Sequence, residues 1–251
     1  MSSHITLRFY QELNDFLPVS KRRISFEHPF SHASSIKDVI ESLGVPHIEV
    51  DLIIANGQSV RFDYKIKHAD QISVYPVFKS LDITPITHLR PEPLRMTKFV
   101  LDVHLGRLSA YLRMLGFDTL YRNDYEDPEL ATISINQQRI LLSCDKKLLM
   151  RKMITHGYYV RERQPRKQIL EIVKRFDLFN RIKPFTRCMR CNSEIHPVEK
   201  AMIKQHLLPR TDKYYDQFWQ CDNCKNIYWK GSHYQNMQQQ ISLMKDQICS
   251  S

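Results

Sequence analysis

Three aspartates and four cysteines carry the residue types in this chain that can do chemistry. Asp102 closes the apolar run of residues 98–102, Asp127 opens the segment Asp127-Pro128-Glu129, and Asp145 follows the apolar run 139–143. Acids that fall just past successive strands of an open parallel sheet share one edge, where such sheets bind ligands. Hard divalent ions such as Mg²⁺ or Mn²⁺ take oxygen ligands and keep several waters, so roughly one to three convergent carboxylates suffice to hold them. Such an ion can activate water and stabilise the leaving oxygen in phosphodiester hydrolysis. Close carboxylates without a cation repel one another, which makes a bound cation the natural resolution. Plainer roles compete with this one. Asp127 and Asp145 stand where helix N-caps stand, and Glu129 falls in a first helical turn. Asp102 has the weakest alternative, because a charge directly ending an apolar strand is hard to explain as solvation.

The cysteines form two pairs, Cys188-x-x-Cys191 and Cys221-x-x-Cys224, with Cys144 and Cys249 left over. Each pair can fold into a knuckle that aims two thiolates at one ion, and two knuckles complete a tetrahedral structural zinc site. The gap of 29 residues between the pairs exceeds the commonest spacing of about 15–20. An inserted helix or hairpin is therefore expected. The opening residues M-S-S-H-I-T-L-R show no basic-then-apolar signal pattern, and no run is long enough to span a membrane. A cytoplasmic chain with metal-binding rather than disulfide-bonded cysteines is the expectation.

The elements around these residues can be read from their periodicity. Residues 4–10 alternate apolar and polar, as a half-buried strand does, and residues 23–26 can pair with them. Ser35 then precedes Ile36, Val39, Ile40 and Leu43 at helical spacing, with Gly44 as a stop. Residues 51–55 and 72–78 read as strands, with Asn56-Gly57 as a tight turn. The order β-β-α-β-β within residues 1–80 predicts a β-grasp, ubiquitin-like fold. His28, His32 and His47 are expected there as surface or core side chains. Residues 81–97, with Pro85, Pro91 and Pro93, read as a linker.

From residue 98 strand and helix alternate. Strands are expected at 98–102, 117–121, 139–143 and 158–161. Helices are expected after Leu105, at Asp127, over 146–154 and from Pro165. The result is an α/β domain over 98–182 with a mostly parallel sheet. Residues 183–251 then form a zinc module ending in a helix over 235–248.

Charge adds a partner. The net charge of +10 lies wholly in residues 81–251, and residues 139–190 alone carry 15 basic against 4 acidic side chains. Phosphate contacts supply most non-specific nucleic-acid affinity, so a polyanion fits this half of the chain. The same charge also serves as a solvated face that aids solubility.

The segments F-V-L-D-V-H-L-G-R-L-S-A-Y-L-R-M-L-G-F-D-T-L-Y, D-P-E-L, R-I-L-L-S-C-D-K-K-L, R-C-M-R-C-N and Y-Y-D-Q-F-W-Q-C-D-N-C-K-N-I-Y-W-K-G-S-H-Y resemble the Mut-seven C-terminal RNase family. That family joins a PIN-like nuclease domain to a zinc ribbon. The N-terminal part is similar to the ubiquitin-like domain that often precedes it. The resemblance implies Mg²⁺- or Mn²⁺-dependent cleavage of RNA with Asp102, Asp127 and Asp145 as the catalytic acids. RNA is then expected along Arg107, Arg113, Lys146, Lys147 and Arg151, with zinc on the four paired cysteines. Ser143-Cys144-Asp145 keeps the acid of the family's T-R-D motif and lacks its Arg, and a further PIN acid has no clear counterpart. A non-catalytic RNA- or ribosome-binding module is the alternative. A protein partner for the β-grasp domain is a further expectation. A sulfur-carrier role is disfavoured, because Tyr75-Pro76-Val77-Phe78 runs on where such carriers end in a free Gly-Gly.

Overall fold

Ile5, Leu7 and Phe9 alternate with polar residues, and the strand they form, β1 (Ser3–Phe9), turns all three into a core. The computed structural model describes residues 3–32, 34–77, 89, 94 and 96–249. β2 (Phe26–Phe30) pairs antiparallel with β1, Leu7 opposite Phe26. Short 3-10 turns over Gln11–Phe16 and Val19–Lys21 connect the two strands. α1 (Ile36–Ser42) starts at a capping box in which the Ser35 hydroxyl accepts from the Asp38 N–H and the Asp38 carboxylate accepts from the Ser35 N–H. β3 (Val50–Ala55) and β4 (Gln58–Ser59) form a hairpin through Asn56 and Gly57, whose φ values of 50° and 82° give the tight turn that Asn-Gly favours. β5 (Gln71–Pro76) lies parallel to β1 and antiparallel to β3, giving the order β2-β1-β5-β3-β4. Ile36, Ile40, Ile53 and Val74 close the core against this sheet. This is the β-grasp architecture expected from the sequence.

The α/β part runs β6 (Phe99–Leu101), α2 (Gly106–Met114), β7 (Thr119–Leu120), α3 (Asp127–Asn136), β8 (Ile140–Ser143), α4 (Lys146–Leu149), β9 (Gly157–Tyr159) and α5 (Pro165–Arg175). β6 and β7 pair in parallel, Phe99 opposite Thr119, and so do β8 and β9, Leu142 opposite Tyr158. Alternating strands and helices with parallel pairing make this an α/β domain. Phe99 meets Phe117 and Phe176 edge to face, at 6.2 and 5.8 Å between ring centroids, which ties β6 to the chain after α5. One element is shorter than expected: the helix over 146–154 stops at Leu149. Arg151 N–H reaches the Leu148 carbonyl and Ile154 N–H the Arg151 carbonyl, so the chain tightens into turns. Ile154 is fully buried and β9 begins at Gly157, which leaves no length for further helix.

The last part contains β10 (Ile195–Val198), α6 (Lys200–Ile203), α7 (Pro209–Tyr214), β11 (Phe218–Cys221), β12 (Ile227–Trp229) and α8 (Ser232–Cys249). The three strands pair antiparallel in the order β10-β11-β12. The insertion expected between the cysteine pairs is helical, α6 and α7.

The chain divides into two compact units. One comprises Met1–Met96 and Asp127–Tyr159, the other Thr97–Glu126 and Val160–Ser251. The expected linker over 81–97 lies almost wholly outside the described residues. Among the described residues no helix is long and apolar enough to cross a membrane.

Candidate functional site

The two cysteine knuckles are built alike. Cys188 N–H donates to the Ser193 carbonyl and Asn192 N–H to the Cys188 carbonyl. Cys221 N–H likewise donates to the Asn226 carbonyl and Lys225 N–H to the Cys221 carbonyl. In each, the residue after the second cysteine takes a positive φ, 73° at Asn192 and 58° at Lys225. That left-handed step turns the backbone so that both sulfurs of a pair face the same way. Ile195 then stands opposite Cys221 in the β10–β11 ladder, which brings the pairs together.

The ligand atoms of Cys188, Cys191, Cys221 and Cys224 all lie within 4.8 Å of one another, the only such group among the described residues. Cys188 Sγ is 3.5 Å from Cys224 Sγ, and Cys191 Sγ is 3.3 Å from Cys221 Sγ. Four sulfurs at zinc–sulfur distances of about 2.3 Å in a tetrahedron are separated by about 3.8 Å, so these two close pairs need only a small expansion to fit the ion. Cys191 is partly desolvated, which opposes ionisation, but hydrogen bonds from Ser193, Cys221 and Cys188 outweigh this and hold its thiol at about 6. Burial pushes Cys224 up to about 12, and it also raises Cys221. Four close thiols with such divided preferences suit a structural metal such as zinc, whose charge favours all four thiolates.

Partners around the cluster fix the knuckles. The Tyr228 hydroxyl lies 3.0 Å from Cys188 Sγ and accepts from the Met189 N–H at 3.1 Å. Burial, and then its contact with Cys188, raise the Tyr228 pKa, so the group stays a neutral O–H able to donate to the sulfur. Asn192 accepts from the Thr119 N–H and donates to the Asp118 carboxylate, joining the first knuckle to β7. Arg113, expected on a nucleic-acid face, is instead 5% exposed. Its Nε donates to the Thr119 carbonyl and its Nη1 to the carbonyls of Met189 and Arg190, the two residues between the first pair of cysteines. Desolvation lowers its pKa while the nearby Cys188 and Cys191 pull the other way.

No local pattern of residues points to these roles for Arg113 and Tyr228. The Asn of R-C-M-R-C-N was the one available hint, since Asn tolerates the left-handed turn.

Asp102 is 4% exposed at the end of β6. Its Oδ1 accepts from the His104 N–H at 2.8 Å, and His104 Nδ1 stands 3.4 Å away. The turn after it is held by Tyr121, whose hydroxyl donates to the Val103 carbonyl at 3.0 Å. A Cβ on Gly106 would meet that hydroxyl at 2.6 Å, so a larger residue there would displace the Tyr121 ring. Asp127 opens α3, half-exposed, with its Oδ2 3.4 Å from Arg151 Nη2. Asp145 caps α4: its Oδ1 accepts from the Lys147 N–H at 2.7 Å, and its own N–H donates to the Ser143 hydroxyl at 2.8 Å. Asp102 belongs to one compact unit and Asp127 and Asp145 to the other. Of the expected phosphate contacts, Arg107 and Lys147 are exposed, and Arg151 is held by Asp127. The Lys146 ammonium lies 5.0 Å from the Phe16 ring centroid and 5.8 Å from that of Tyr159.

No curated protein and no solved structure matches the chain. Two family models do. The Mut7-C ubiquitin model matches residues 2–82, and the Mut7-C RNAse domain model matches residues 97–241, more than half of the chain. The domain order agrees with the resemblance carried by the motifs. The chain belongs to the Mut7-C RNAse domain family.

Proposed function

We propose that this protein is a divalent-metal-dependent ribonuclease that hydrolyses phosphodiester bonds in RNA, with a zinc ribbon as a structural module. The observation that carries the reading is the RNAse-domain match over residues 97–241, which takes in all three candidate acids. Support comes from Asp102. A carboxylate that ends a buried strand has its desolvation cost offset when a cation shares the site. Asp102, Asp127 and Asp145 are the residues that would hold Mg²⁺ or Mn²⁺. When bound, such an ion neutralises charge at the scissile phosphate and lowers the pKa of an attacking water. Each within its own unit, the His104 N–H and the Tyr121-held turn keep Asp102 in one orientation, and the Lys147 N–H orients Asp145. Arg107, Lys146, Lys147 and Arg151 would take the RNA backbone.

The test is Asp102→Asn, which keeps the hydrogen-bond acceptor and removes the charge. With wild-type thermal stability, cleavage of a mixed RNA panel in Mn²⁺ is expected to fall at least about a hundredfold, some 3 kcal/mol of transition-state stabilisation. Undiminished, Mn²⁺-dependent cleavage by the variant would sink the assignment.

A second reading, a non-catalytic RNA- or ribosome-binding module, is favoured by one observation. Asp127 is paired with Arg151 and Asp145 is spent on capping α4. RNA binding that weakens steeply with salt, without cleavage in any divalent ion, would establish it.

A further inference from the structure

β9 pairs with β8 on one side, and an edge strand presents unpaired backbone N–H groups on its other side. Here that side is met by the ubiquitin-like domain. The Glu49 carboxylate, on a residue 1% exposed, accepts from the Tyr159 N–H at 2.7 Å. Its neighbour His47 has Nε2 3.1 Å from the Ile154 carbonyl, in the turn before β9, and Nδ1 2.7 Å from Glu41 Oε1. Phe16 packs edge to face on Tyr159 at 5.2 Å between centroids. A Cβ on Gly157 would stand 3.1 Å from Leu149 Cδ2, 3.2 Å from the Leu141 carbonyl and 3.4 Å from Ile48 Cδ1, so the backbone of β9 lies close against both neighbours. The Lys146 ammonium sits over the Phe16 and Tyr159 rings, one ring from each partner. Lys146 is the residue after Asp145, and α4 is the helix that Asp145 caps. The same compact unit contains both the ubiquitin-like domain and Asp127–Tyr159.

We infer that the ubiquitin-like domain is a built-in positioning element of the nuclease domain: Glu49 pins β9, and Phe16 with Tyr159 holds the Lys146 ammonium and so sets where Lys146 stands. The physical basis is the pairing of a buried carboxylate with a backbone donor and of a cation with two ring faces. Each is a directional contact that a merely covering domain does not supply. Phe16 and Glu49 are positioning residues that act through Lys146 and β9. The consequence for RNA rests on the ribonuclease reading above; the clasp itself does not.

The test uses the full-length chain and measures lysine acylation by mass spectrometry, with exposed Lys147 as the internal reference beside Lys146. Phe16→Leu keeps an apolar side chain and removes the ring; Tyr159→Phe keeps the ring. The Lys146-to-Lys147 reactivity ratio is expected to rise about two- to fivefold in Phe16→Leu, the worth of a partly exposed cation–π contact, and to hold in Tyr159→Phe. Glu49→Ala is expected to speed hydrogen exchange at the Tyr159 amide at least about tenfold, with thermal unfolding recorded in parallel to identify variants that lose the fold. An unchanged ratio in folded Phe16→Leu overturns the inference whether or not the protein cleaves RNA. If the wild type cleaves RNA, KM should rise in Phe16→Leu by the same two- to fivefold while kcat holds, because a phosphate contact is misplaced. A raised ratio with unchanged KM overturns the positioning role. A raised ratio in a protein that cleaves no RNA upholds the clasp and removes only the ribonuclease reading.

Discussion

Replacing Arg113 by Met tests what the buried guanidinium does. In the structure its donors serve the carbonyls of Thr119, Met189 and Arg190 at 3.0–3.1 Å. Met fills most of the volume and leaves three carbonyls without this donor. At about 1 kcal/mol net for each lost hydrogen bond, the variant is expected to be destabilised by about 3 kcal/mol. Unfolding entropy of about 2 cal/mol/K per residue, over a unit of this size, converts that to a fall of about 10 °C in its transition. Two of the carbonyls lie between Cys188 and Cys191, so the knuckle should loosen and zinc should transfer faster to a competing chelator. Calorimetry gives the first quantity and a chromophoric zinc indicator the second. Arg113→Lys is expected to fall between the two proteins, since one ammonium cannot copy the planar fork. If Arg113→Met unfolds within about 2 °C of the wild type and releases zinc at the same rate, well below the loss worked out above, the structural assignment is refuted. A selective loss of RNA affinity would then restore Arg113 to the nucleic-acid face.

Two further outcomes follow from the local chemistry. Ser35→Ala removes a capping-box partner and should cost about 1 kcal/mol. The Ser35 hydrogen bond depresses the Asp38 pKa, so its contribution is present above the ordinary carboxylate value and is lost as pH falls through the depressed one. The variant's deficit should therefore shrink in acid, and the Asp38 titration followed by NMR should move upward. Removing zinc with a strong chelator at neutral pH should unfold the β10–β12 module while the β-grasp core persists, as circular dichroism and amide exchange can show. Zinc binding should also weaken as pH falls, and more steeply below about 6, where the Cys191 thiolate takes up a proton that it does not hold at neutral pH. An equal number of protons released per zinc at pH 5 and pH 7.5 would contradict that value.

Much of this protein was legible in its sequence because the signals are local. The Ser35–Asp38 capping box, the Asn56-Gly57 turn, the alternation along β1 and the two C-x-x-C pairs each depend on residues a few positions apart. The 29-residue gap between those pairs required an insertion, helix or hairpin, and the fold makes it helical. What only the tertiary structure decided are the contacts between distant segments. Periodicity placed Arg113 off the leucine face of its helix, but it cannot say that residues 76 and 77 positions further on cover that face with carbonyls. It likewise read Lys146 as a cation at the head of a short basic helix over 146–154. In the fold α4 lasts one turn, because Ile154 must be buried and β9 must begin, and Lys146 ends over the rings of Phe16 and Tyr159. Burial and pairing are properties of whatever packs against a residue. Sequence reveals the face that must be covered; which segment covers it is settled only when the chain has closed on itself.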